Sequence, residues 1–189
     1  MNTAVLVIDM QNAYFEDPAL GGRREELVDG CNRLIDAAAA RGVPVLMVST
    51  EHERDKSTWT LSMLDDDQGF IFSGSKQADF VPGLKYEELP RMVKTRDSAF
   101  MGTDLLLRLR NFGAQQLVLA GVSTHNCVAQ TAADAFAHNF RVVFAADAMA
   151  SNNEDYAKAI RGILSDEYRQ PVLKAAEIEE LLAQSSNGQ

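Results

Sequence analysis

The stretch that decides the fold is Leu117-Val118-Leu119-Ala120-Gly121-Val122-Ser123-Thr124-His125-Asn126-Cys127-Val128. An apolar run ends in Gly121, polar residues follow, and after Cys127 the Ala and Phe positions take helical spacing. This pattern predicts a buried parallel strand, a tight turn, and a helix whose first turn carries a thiol. Unpaired N–H groups and a partial positive charge at a helix start favour thiolate over thiol. Free Cys is also among the most buried residue types. On this stretch alone a reactive thiol and a small core residue are equally good readings.

Working outward, Ala4-Val5-Leu6-Val7-Ile8 is a second unbroken apolar run, closed by Asp9. Continuous hydrophobicity marks a strand buried on both faces, as in the middle of a parallel sheet. Val45 to Val48, Arg91 to Thr95, Arg141 to Asp147 and Pro171 to Leu173 add strand candidates. Helical spacing runs through Arg24–Arg41, Gly102–Phe112, Cys127–His138, Asn153–Leu164 and Ala175–Leu182. Cys31 falls on the apolar stripe of the first of these and reads as core. Thr103 and Asp104 read as helix caps. Residues 53–90 are irregular and contain Trp59 and the acidic run Asp65-Asp66-Asp67, read as a solvated face. They are expected to form a long excursion over one end of the sheet.

Alternation of strands and helices predicts an α/β fold, a three-layer Rossmann-like arrangement with a six-stranded, mainly parallel sheet and helices on both faces. The 189 residues are expected to form a single domain over 1–183 with a polar, frayed tail over 184–189. A net charge of −9 argues against nucleic acid and against an anionic membrane surface. The two cysteines have no metal-binding or disulfide-framework spacing. With no basic leader and no apolar run of membrane-spanning length, a cytoplasmic chain is expected.

Ligands of parallel sheets bind beyond the carboxyl ends of the strands. Asp9, Lys94 and Cys127 each stand at or just past such an end, so a carboxylate, an ammonium and a thiol are expected at one rim. Their joint placement shifts Cys127 toward nucleophile. Asp9 can act as general base, Lys94 can hold charge, and the thiolate can attack an electrophilic carbon.

With these residues in hand, the chain resembles the isochorismatase-like cysteine hydrolases, which include nicotinamidases and N-carbamoylsarcosine amidases. The resemblance rests on Asp9-Met10-Gln11-Asn12, on Lys94 followed by Arg96-Asp97-Ser98-Ala99-Phe100-Met101-Gly102-Thr103-Asp104-Leu105, and on Gly121 to Val128. It implies a catalytic triad of Asp9, Lys94 and Cys127. It also implies a cis Val122–Ser123 peptide and an oxyanion hole formed by the N–H groups of Ser123 and Cys127. The expected activity is hydrolysis of an amide-type C–N bond of a small molecule through a thioester. Its rivals are an ether hydrolase of isochorismatase type and a non-catalytic ligand-binding or redox-sensing domain. Gln11, Tyr14, Phe15, Trp59, Phe100, Thr124 and His125 are the candidate substrate contacts, although aromatics of this kind more often serve the core. Nicotinamidases carry an Asp/His metal cluster after the second strand. Here that region reads Thr50-Glu51-His52-Glu53. His52 is therefore taken as a polar rim residue, and no metal or other cofactor is expected. The resemblance further implies a homodimer or homotetramer.

Overall fold

The computed structural model describes residues 1–185. Six strands form one sheet: β1 (Thr3–Ile8), β2 (Val45–Thr50), β3 (Arg91–Lys94), β4 (Gln116–Gly121), β5 (Arg141–Met149) and β6 (Val172–Leu173). Their order is β3-β2-β1-β4-β5-β6, and every pairing is parallel. The mainly parallel sheet expected from the sequence is therefore wholly parallel.

The period-2 alternation of side chains sorts each strand between two cores. Val5, Val7, Val45, Met47, Val118, Ala120, Val143 and Ala145 point to one face. There they meet α2 (Arg24–Ala39) and α7 (Ala175–Ala183) through Leu27, Cys31, Leu34, Ile178 and Leu182. Ala4, Leu6, Ile8, Leu46, Val48, Leu117, Leu119, Val142 and Phe144 point to the other. That face is covered by α4 (Leu105–Asn111), α5 (Ala129–Ala137) and α6 (Glu154–Tyr168), which supply Leu105, Leu109, Ala132, Ala135 and Leu164. A short helix, α1 (Pro18–Gly21), and a one-turn helix, α3 (Leu61–Asp65), lie in the connections.

Helix α2 packs very close to the sheet. A Cβ on Gly30 would sit 1.9 Å from the carbonyl oxygen of Asp147. The neighbouring Cys31 is fully buried and donates its thiol to the Ala148 carbonyl at 3.5 Å. Burial pushes the Cys31 thiol up from about 9 to about 12. Because the folded protein keeps this proton while the unfolded chain gives it up, the protonated thiol stabilises the fold fully below about pH 9. That share is lost as pH rises toward about 12, up to on the order of 4 kcal/mol. Guanidinium unfolding at pH 8 and pH 10.5 should show wild type losing more stability between the two than Cys31→Ala.

Some sequence expectations hold and others change in detail. Thr103 accepts from Leu105 N–H at 3.2 Å, as a cap would. Asp104 makes no capping bond and instead pairs with Arg108 at 2.8 Å. The side chains of Asp65, Asp66 and Asp67 are exposed, and Asp67 pairs with Lys56. The frayed-tail expectation for 186–189 falls outside the described residues. Ser185 is anchored, accepting from Thr3 N–H at 3.1 Å and donating to the Met1 carbonyl at 3.0 Å.

The excursion over residues 53–90 folds back onto the carboxyl rim of β1 and β2. Asn12 N–H bonds Asp79 O at 2.9 Å, Val81 N–H bonds Met10 O at 2.9 Å, and His52 N–H bonds Ile71 O at 2.9 Å. Gln11 is the central fastener. Its Nε2 donates to Thr50 O at 2.9 Å and to Ala78 O at 2.8 Å, while its Oε1 accepts from Thr50 N–H at 2.8 Å.

Candidate active site

At the rim the chain passes sharply from strand to loop. Asp9 follows β1 with φ +54°, a conformation Asp tolerates better than most residues. Gly121 ends β4 with φ +107°, and a Cβ there would lie 1.9 Å from Ile8 O. This close approach sets the loop after β4 beside Asp9. The Val122–Ser123 peptide is cis. Thr124–Val128 then winds as a single π turn before α5, so Cys127 sits inside a wide turn and not at the start of an α-helix. The N–H of Ser123 makes no backbone hydrogen bond among the described residues.

Asp9, Lys94 and Cys127 meet below this loop, with relative exposures of 0%, 1% and 4%. The Lys94 Nζ lies 2.8 Å from Asp9 Oδ2 and donates to Cys127 Sγ at 3.4 Å. Thr50, at the end of β2, joins them: it accepts from Lys94 Nζ at 2.6 Å and donates to Asp9 Oδ1 at 3.0 Å. One strand end from each of β1, β2 and β3 thus supplies a member of the network, and the loop after β4 supplies the thiol.

The electrostatics depart from the sequence reading at one point. The helix-start argument anticipated a lowered thiol pKa. Burial, with the Asp9 carboxylate next and Lys94 opposing, holds the Cys127 thiol well above its ordinary value. The π turn removes the regular first-turn N–H cluster, and desolvation dominates. Lys94 remains charged: burial works against its ammonium, but Asp9 and then Cys127 outweigh it and raise the pKa. The resting site is a buried ammonium–carboxylate pair beside a protonated thiol.

The candidate substrate contacts separate. Tyr14 packs against the α2-side core and lies near enough to Asp9 and Cys127 to feel their charge. Burial, then Asp9 and Cys127, keep its phenol well above the ordinary value, so it stays a hydrogen-bond donor. Thr124 and His125 precede Cys127 within the π turn. Thr124 Oγ1 is buried and finds no partner among the described residues, while His125 Nδ1 is 2.5 Å from Ser151 Oγ. Gln11 spends its amide on the main chain. Phe15 packs on the α2 side of the core, and Phe100 packs against His138 and Phe140, with ring centroids 5.1 and 6.2 Å away. Trp59 donates to Glu53 O at 2.8 Å and tilts against Phe72.

Two site residues escaped the sequence reading. Thr50 enters the sequence reading only within the stretch Thr50-Glu51-His52-Glu53, although the rim rule that selects Lys94 applies equally to it. Asp97, quoted within the Lys94 segment without a role, accepts from Cys127 Sγ at 3.7 Å and from Gln130 Nε2 at 2.8 Å.

The residues do not fit a metal centre of nicotinamidase type. His52 Nδ1 is 2.9 Å from Thr58 O and donates there, and burial lowers its pKa. Among the described residues no three His, Cys, Asp or Glu side chains cluster so as to hold an ion. Nor is any described helix long and apolar enough to cross a membrane.

Comparison with known proteins agrees with this architecture. The Isochorismatase domain family matches residues 3–171. A protein of Arabidopsis thaliana described as a probable inactive nicotinamidase is 38% identical over 149 residues, covering 74% of this chain and 75% of its own. Nicotinamidase 3 of the same plant is 31% identical over 161 residues, covering 82% and 77%. The crystal structure of an isochorismatase family protein from Desulfovibrio vulgaris superposes with a TM-score of 0.83 at 30% identity, over 97% of this chain and 99% of that one. The chain belongs to the isochorismatase family of hydrolases.

Proposed function

We propose that the protein hydrolyses an amide-type C–N bond of a small molecule through a thioester on Cys127. The observation that carries this reading is the position of the Lys94 ammonium, 2.8 Å from the Asp9 carboxylate and 3.4 Å from the Cys127 sulfur.

Asp9 takes the thiol proton as the sulfur closes on the substrate carbonyl carbon. The ammonium offsets the negative charge passing between thiolate and carboxylate, so proton transfer creates no unpaired buried charge. The N–H groups of Ser123 and Cys127 receive the developing oxyanion. Protonated Asp9 gives its proton to the leaving nitrogen, the C–N bond breaks, and the acyl group stays on sulfur. Asp9 then accepts a proton from water, whose oxygen attacks the thioester. The C–S bond breaks, the acid leaves, and the proton returns to Cys127. Thr50 aligns the carboxylate and ammonium throughout.

A raised thiol pKa and near-complete burial support a thiol activated on demand by its base. Redox-sensing cysteines are instead exposed and of low pKa. Nicotinamide is not favoured as substrate, because His52 offers no second imidazole for the metal cluster of nicotinamidases. A homodimer or homotetramer accompanies this reading. Exposed Leu107, Phe136 and Ile163, on helices covering one face of the sheet, support it. Ammonia or amine release across a panel of small amides, ureas and vinyl ethers tests the reaction class. Release from amides or ureas is the expected result, and turnover restricted to ethers would replace the C–N reading.

A further inference from the structure

We propose that Asp97, held by Gln130 beside the thiol, is the substrate-selecting residue of this site, and that it admits small amides or ureas carrying an ammonium, amidinium or guanidinium group next to the scissile carbonyl. This deepens the reading of Cys127 as nucleophile and rests on it.

Two carboxylates flank the sulfur, in opposite circumstances. Asp9 is buried and neutralised by Lys94 at 2.8 Å. Asp97 is exposed, and its carboxylate forms no ion pair among the described residues. Its oxygens are oriented nonetheless: Oδ2 accepts from Gln130 Nε2 at 2.8 Å, and Oδ1 accepts from the Cys127 thiol at 3.7 Å. The adjacent cation, Arg96, is engaged by the carbonyls of Thr58 and Thr95, at 2.9 and 2.6 Å. Those carbonyl bonds hold the guanidinium out of ion-pair distance of Asp97, so the carboxylate beside the thiol has no cation within 4 Å among the described residues.

That charge has a consequence when the thiol ionises. Asp97 Oδ1 then loses its donor and faces a like charge at the same short distance. A substrate cation seated on Asp97 supplies the missing donor and offsets the repulsion. A substrate carboxylate would add a third negative group. The residue thus favours cationic substrates in binding and again as the thiolate forms.

Charged thiol reagents read this field directly at the sulfur, whether or not any amide is turned over. Rates of modification of Cys127 by 2-aminoethyl and 2-sulfonatoethyl methanethiosulfonate, followed by intact mass, are each divided by the rate on a small free thiol. In the wild type the cationic reagent should be favoured by about tenfold or more at low salt. Asp97→Asn, which keeps an acceptor for Gln130, should remove most of that preference, and Asp97→Lys should invert it. A wild-type ratio near that of the free thiol, a preference for the anionic reagent, or a ratio unchanged in Asp97→Asn would overturn the inference. Failure of the amide-hydrolase reading shows differently, as absence of amine release with the reagent preference intact.

Discussion

Cys127→Ala is expected to lower turnover by about 10³-fold or more, to a level no longer dependent on the Asp9–Lys94 pair. In a covalent mechanism the carbon–sulfur bond is the route by which the C–N bond breaks. Removing the nucleophile leaves only binding and whatever stabilisation the oxyanion donors give to attack by water. The fold should tolerate the change. Cys127 is 4% exposed at the edge of the core beneath α5, and deleting its sulfur costs about 1–2 kcal/mol. Steady-state kinetics should therefore show lost kcat with a cooperative unfolding transition still present. A drop in activity matched by loss of folded protein would instead point to a structural role.

The second large effect is on the fold. Gly121→Ala should destabilise the protein by more than about 4 kcal/mol, a range reached only where a specific mechanism operates. Two mechanisms coincide here. The backbone at φ +107° is one that residues with a Cβ rarely adopt, and the added carbon would lie 1.9 Å from Ile8 O, a backbone atom that cannot rotate away. Relief requires parting β1 from β4 at the point where Ile8 pairs with Gly121. That movement would also shift Asp9 away from Cys127. Guanidinium titration should show a greatly lowered midpoint or no soluble folded protein. By contrast, Gly74 and Gly102 have open space around the Cβ position and pay only the conformational strain.

What the sequence disclosed and what it concealed have physical causes. Continuous apolar runs at Ala4–Ile8 and Leu117–Ala120, short and closed by Asp or Gly, read as central parallel strands, and the strand-end rule then gathers Asp9, Lys94 and Cys127 at one rim. No pattern discloses Thr50 as their bridge. Its hydroxyl acquires that role from the spacing of β1, β2 and β3, which exists only after the strands pair. The π turn is likewise invisible, because the Ala and Phe positions after Cys127 look the same behind an α or a π first turn. The direction of the thiol pKa depended on burial beside Asp9, a three-dimensional fact, so an argument from local helix geometry alone gave the opposite sign. The sequence offers Gln11, two positions after Asp9, only as a candidate substrate contact. That its amide closes on Thr50 and Ala78 requires the fold of the 53–90 excursion.

In the proposed mechanism a protonated, buried thiol becomes a nucleophile through Asp9 and carries the acyl group. That mechanism is tested most directly by rapid acid quench of the protein with an amide or urea substrate found to release ammonia or amine, followed by peptide mass spectrometry. The expected result is an adduct on the Cys127 peptide equal in mass to the acyl portion of the substrate, absent from Cys31 and from Cys127→Ala, and strongly reduced in Asp9→Asn. No adduct on Cys127 during turnover, together with unchanged turnover in Cys127→Ala, would contradict it.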